Sequence, residues 1–90
     1  MAVADPSTIL TPRQLELVAM YASGELLEDI AAQKFLSYRT VKRDLSLARE
    51  RIGARNLAHL AVICLDGGVL KRNGARGRYL PVQDERVIGE

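Results

Sequence analysis

The 90-residue chain has no Trp, a single Phe, a single Cys and a single His. Cys64 has no second Cys to pair with and no His at ligand spacing, so neither a disulfide nor a zinc site can be assembled. Cys64 therefore reads as a small buried apolar residue. One His and scattered carboxylates provide no nucleophile–base pair, and no Gly-rich phosphate loop follows a strand, so an enzyme is set aside and no cofactor or metal is expected. No apolar run approaches the roughly 20 residues of a membrane span. The N-terminus lacks the basic start and apolar centre of a secretory signal, which leaves a cytoplasmic protein with no membrane partner as the expectation. Charge of neither sign dominates, with 13 Lys and Arg against 11 Asp and Glu.

The distribution of charge says more than its sum. Between Ser37 and Arg55 lie Arg39, Lys42, Arg43, Arg49, Arg51 and Arg55 against only Asp44 and Glu50, whereas Glu25, Glu28 and Asp29 gather upstream. The chain divides into a poorly ordered leader over 1–9, a helical domain over 10–67 and a basic extension over 68–90. Thr11 is an N-cap, Pro12 suits the first helical position, and Gln14 completes a capping box. Leu10 and Leu15 fall at the staple positions. A first helix from Pro12 to about Ala22 follows, ended by Gly24 and burying Leu15, Val18, Ala19 and Ala22.

A short second helix over about Leu26 to Lys34 buries Leu27, Ile30 and Ala31, with Glu28 and Asp29 where the helix dipole favours acids. A turn of about three residues then leads to Ser37, a new N-cap. In the third helix Val41, Leu45, Ala48 and Ile52 form one apolar stripe, opposed by Arg39, Lys42, Arg43, Ser46 and Arg49, and Gly53 supplies the stop. Asn56 caps a fourth helix, about Leu57 to Leu65, that is apolar nearly all round. Three other helices can cover only one side of it, so the remainder predicts a homodimer contact through Leu57, Leu60, Ala61, Cys64 and Leu65. Beyond Gly68, Asn73-Gly74 is a hairpin signal. A small wing and a flexible basic tail are both open here, and the shortness of the flanking strands favours the tail.

Two short helices joined by a tight turn, the second with a basic outer face, match the geometry that places a recognition helix in the major groove of double-stranded DNA. Lys42, Arg43, Ser46 and Arg39 are the expected base readers, and Ser37, Tyr38, Thr40 and Arg49 the expected backbone contacts. The bland alternative is a solvated basic face on an ordinary amphipathic helix. The short turn and the concentration of positive charge on this one element weigh against it.

Leu10-Thr11-Pro12-Arg13, Glu16, Gly24, Ile30-Ala31, Leu36-Ser37, Thr40-Val41-Lys42, Leu45, Gly53 and Asn56 resemble, in order and spacing, the LuxR/GerE-type DNA-binding domain of bacterial transcription regulators. The resemblance implies an all-α fold of four helices, the third in the major groove and the fourth pairing subunits on a roughly two-fold symmetric site. Carried over by position, it also implies base reading by Lys42, Arg43 and Ser46, backbone contacts by Thr40 and Ser37, and a core role for Val41.

Departures from the pattern carry their own expectations. Asp44 stands where the family usually has His, and a carboxylate there needs a cytosine amine, Arg43 or Lys42 as its partner. Lys34 occupies an apolar position, with Phe35 placed to fill the gap. Leu57 and His59 make the fourth helix more apolar, His59 being a surface or interface residue. Nothing before Leu10 is long enough for a sensory domain. Such a regulator, bacterial or phage-encoded and working at the nucleoid, acts constitutively or through a partner such as RNA polymerase or another regulator. The rival reading is a protein-interaction module on the same scaffold, supported by Asp44, the weak net charge and the apolar fourth helix.

Overall fold

The computed structural model describes residues 9–74 and 77–82. The leader expected over 1–9 lies outside these except for Ile9, which packs against the core. Residues 83–90 of the extension also lie outside them. The elements that lie wholly among the described residues are the helices α1 (Pro12–Ala22), α2 (Leu27–Lys34), α3 (Tyr38–Ile52) and α4 (Leu57–Asp66), followed by strands β1 (Leu70–Asn73) and β2 (Arg78–Pro81).

Helix α1 begins on its capping box. The Gln14 amide donates to the Thr11 hydroxyl at 3.1 Å, and the Thr11 amide donates to Gln14 Oε1 at 3.0 Å. These bonds satisfy amides that a helix start otherwise leaves open. Leu10 is buried and Leu15 half-buried against the core, as staple residues should be. The burial pattern along α1 differs from the expected stripe. Leu17 is fully buried and Gln14 buried with it, while Leu15 and Ala22 are only half-buried. The reason is that α1 is the central element, packed by α2, α3, α4 and β2, so more than one stripe faces protein.

Helix α2 starts without a side-chain cap, since Leu26 holds the capping position; Glu28 and Asp29 in its first turn oppose the dipole instead. Ile30 and Ala31 are buried and Leu27 packs at the edge of the core. The expectation that Phe35 fills the gap beside Lys34 is corrected. Lys34 extends across α1 and pairs with Glu16 at 2.5 Å, whereas Phe35 is 94% exposed and adopts the left-handed conformation, φ 58°. For an L-residue other than Gly that conformation costs about 1–2 kcal/mol.

Helix α3 follows after Phe35-Leu36-Ser37. The Ser37 hydroxyl accepts from the Thr40 amide at 3.0 Å, and Val41, Leu45, Ala48 and Ile52 are all buried as one stripe. Asn56 caps α4 by accepting from the His59 amide at 2.8 Å, while His59 Nδ1 accepts from the Arg55 amide at 3.0 Å. His59 is thus a helix-start residue, bonded on both sides of the cap.

The preference for a flexible tail after Gly68 is overturned, because β1 and β2 form an antiparallel hairpin with Leu70 opposite Pro81 and Asn73 opposite Arg78. With Asn73 itself paired to Arg78, Asn73-Gly74 is not the two-residue turn that the sequence suggested. Docking supports the short strands: Val69 and Leu70 join the core, and the Tyr79 amide donates to the Ser23 hydroxyl at 2.8 Å at the end of α1. Pro81 lacks an amide but is tolerated, since both strands of a two-stranded sheet are edges.

Candidate nucleic-acid interface

Helical periodicity divides α3 cleanly. Arg39, Arg43 and Ser46 follow one another at i, i+4 and i+7 on the side opposite the buried stripe, and Lys42 stands on the flank shared with Tyr38 and Arg49. Arg39, Lys42 and Arg43 are exposed and Ser46 half-buried, so the four expected base readers share one outward surface. Glu50 lies at the far end of the same face and sits 3.5 Å from Arg49, so on that face the unopposed positive charge lies in the N-terminal part of the helix, while exposed Arg51 in the last turn points to another side.

The expected backbone contacts are less uniform. Ser37 and Tyr38 are exposed at the helix start, where amides and the dipole favour anions. Thr40 is half-buried, and its hydroxyl accepts from the Ser37 hydroxyl at 2.9 Å. Arg49 is engaged within the chain, donating to the Ala54 carbonyl at 3.1 Å and so closing the C-terminal end of α3. Its guanidinium is committed to the helix end as well as facing the flank.

Asp44 is the main correction on this helix. It is buried, turned toward α1, and its carboxylate lies 2.5 Å from the Arg13 guanidinium. Neither Arg43 nor Lys42 is its partner. Asp44 Oδ2 makes no hydrogen bond of good geometry, so the contact with Arg13 is a charge–charge pairing. The sequence around Arg13 carries no sign of this role, because a contact between separate helices leaves no local pattern. The acid therefore does not share the outward face, which over positions 38–46 carries only basic and neutral residues.

The proposed dimer residues divide differently from their expected roles. Leu60, Ala61 and Cys64 are spent on the chain's own core, Cys64 and Leu60 almost completely. Leu57 and Leu65 are half-buried, and the apolar surface left over is formed by Ala58, Val62 and Leu65 at i, i+4 and i+7, with Val62 58% exposed. Burial also pushes the Cys64 thiol from 9.0 up to about 11.

A basic helix presented after a short turn, held by three helices at its back, defines a helix-turn-helix DNA-binding domain. The family model for bacterial regulatory proteins of the luxR family, GerE, matches residues 8–64. The chain belongs to that family, and is a DNA-binding transcription regulator in that general sense. Neither a curated protein nor a solved structure matches it. The family match ends within α4, so the hairpin of Leu70 to Pro81 lies beyond it. No helix among the described residues is long and apolar enough to cross a membrane.

Proposed function

We propose that the protein is a sequence-specific regulator that reads an operator in double-stranded DNA with α3, as a homodimer joined through α4. The observation that carries this reading is the outward surface of Arg39, Lys42, Arg43 and Ser46 at the N-terminal part of α3, with Asp44 withdrawn to Arg13. Arg and Lys there suit guanine O6 and N7, while Ser46 adds a less selective donor or acceptor. Ser37, Tyr38 and Thr40 at the helix start suit phosphate oxygens and set the register. Arg49, tied to Ala54, makes a lesser backbone contact from the flank.

Ala58, Val62 and Leu65 supply the dimer contact in place of Leu60, Ala61 and Cys64, with Leu57 at its edge. A two-fold dimer of such domains reads two half-sites about one helical turn, roughly 34–36 Å, apart. Its place of work is the bacterial cytoplasm at the nucleoid. RNA polymerase or another regulator enters as a further partner only once the operator's position is known.

The test is affinity for duplex DNA as a function of salt. Several phosphate contacts predict a steep fall of log affinity with log salt, by about 0.9 per phosphate neutralised. A protein-interaction module using the apolar surface of α4 predicts no such dependence, because apolar burial is not screened.

A further inference from the structure

All four helices end in the same way. A backbone amide just past each end bonds back five residues, Glu25 to Met20 at 3.2 Å, Leu36 to Ala31 at 2.9 Å, Ala54 to Arg49 at 3.0 Å and Val69 to Cys64 at 3.1 Å. This closure requires one residue in the left-handed conformation immediately before the bonding amide. Gly24, Gly53 and Gly68 supply it at three ends, and Phe35 supplies it at the fourth, between α2 and α3. At those three glycines an added Cβ meets nothing within 4 Å, so their selection answers to φ alone. At the turn that enters α3, the chain carries an aromatic residue in the conformation it elsewhere gives to Gly.

Among the described residues nothing offsets that choice. Phe35 is the most exposed of the large apolar side chains among the described residues, at 94%, so its ring stabilises no internal packing. The surroundings say what kind of surface it meets. Lys34 beside it is paired with Glu16 of α1, but every charged residue from there to Arg43 is basic, and the first acid beyond them, Asp44, is turned to Arg13. Ser37, which caps α3, is two positions further on, and Tyr38 beside it is 47% exposed. A polyanion with apolar patches along its groove fits a ring in a basic corner, and duplex DNA offers thymine methyls and deoxyribose faces there.

We propose that Phe35 is a DNA contact, its ring packing on a thymine methyl or deoxyribose at the edge of the groove that receives α3. This rests on the reading of α3 as the recognition element. It adds an apolar contact from the turn to the polar ones on the helix, and it accounts for an aromatic residue where backbone geometry favours Gly.

The test compares the full-length wild type with Phe35→Gly and Phe35→Asn, two residues that tolerate the left-handed conformation. Both are melted thermally and both are titrated against the best duplex selected by wild type from a random pool. The expected result is a melting temperature equal to or above wild type for Phe35→Gly. Affinity for the selected duplex falls roughly tenfold for both variants, the scale of one partly buried aromatic contact, with the salt dependence unchanged because no charge is lost. Wild-type affinity in a folded variant would overturn the proposal, and would do so whether or not binding to RNA polymerase is lost, since that loss points to a protein occupant. If wild type itself selects no duplex, the proposed function fails and takes this contact with it.

Discussion

Arg13 in the first turn of α1 and Asp44 in the middle of α3 form an ion pair at 2.5 Å, with the Asp44 side chain 10% exposed and that of Arg13 51% exposed. The pairing ties α3 to α1 and draws a carboxylate away from the outward face that carries Arg39 and Arg43. Removing the exposed partner strands the buried charge, whereas removing the buried one leaves Arg13 to solvent. Arg13→Ala is therefore expected to cost about 1–3 kcal/mol and Asp44→Ala less, given the partial exposure of the pair. A double-mutant cycle in urea checks this. Additive losses would mean that the two groups do not interact.

Besides the packing of β2 on α1, one hydroxyl ties the hairpin to that helix. Ser23 Oγ accepts from the Tyr79 amide at 2.8 Å and donates to the Ala19 carbonyl at 2.8 Å. Ser23→Ala leaves that amide without its partner, with an expected loss on the order of 1 kcal/mol. Hydrogen exchange at Tyr79 should accelerate well beyond that of amides in α3. Uniform acceleration across all four helices would indicate that the hairpin and helices open as one unit.

What was legible in the sequence was local. The capping box of Thr11 and Gln14, the Ser37 cap and the stripe of Val41, Leu45, Ala48 and Ile52 depend on neighbours within a turn or two, and all stand as read. Four features depended on distant contacts and were not legible. Leu17 is buried because α1 is surrounded. Asp44 finds a partner on another helix. Short strands survive at 70–81 because Val69 and Leu70 dock. The inward side of α4 depends on how the other helices meet it, and its all-apolar sequence could not choose between Cys64 and Val62. The expected base readers, Arg39, Lys42, Arg43 and Ser46, do share one outward surface, since helical spacing alone decides that.

The division within α4 separates association from folding. Val62→Glu places a charge on the proposed dimer surface without entering the core, so it should yield a monomer while changing stability by less than about 0.5 kcal/mol. Leu60→Ala removes core volume and should cost about 2–5 kcal/mol. Sedimentation and thermal melts of the two variants check both. A Val62→Glu protein that associates as wild type does would move the dimer contact away from α4.

Cys64 predicts a pH dependence of known sign. Its thiol is raised from 9.0 to about 11 by burial, so over that interval the folded chain holds a proton that the unfolded chain has released. Stability is retained in full below pH 9 and is withdrawn as pH rises toward 11. The stability gap between wild type and Cys64→Ala should accordingly narrow over this interval, by about 3 kcal/mol at most. Urea unfolding on either side of pH 9 measures it. A gap that stays constant would contradict a buried, protonated thiol.

The most direct test of the central claim is selection of bound duplexes from a random pool at near-physiological salt, wild type beside the Lys42→Ala, Arg43→Ala double variant. The expected result is an enriched inverted repeat whose specific base pairs the variant no longer distinguishes, at about 1–3 kcal/mol per lost bidentate contact. No enriched sequence, or one that the variant selects equally well, would contradict recognition through α3.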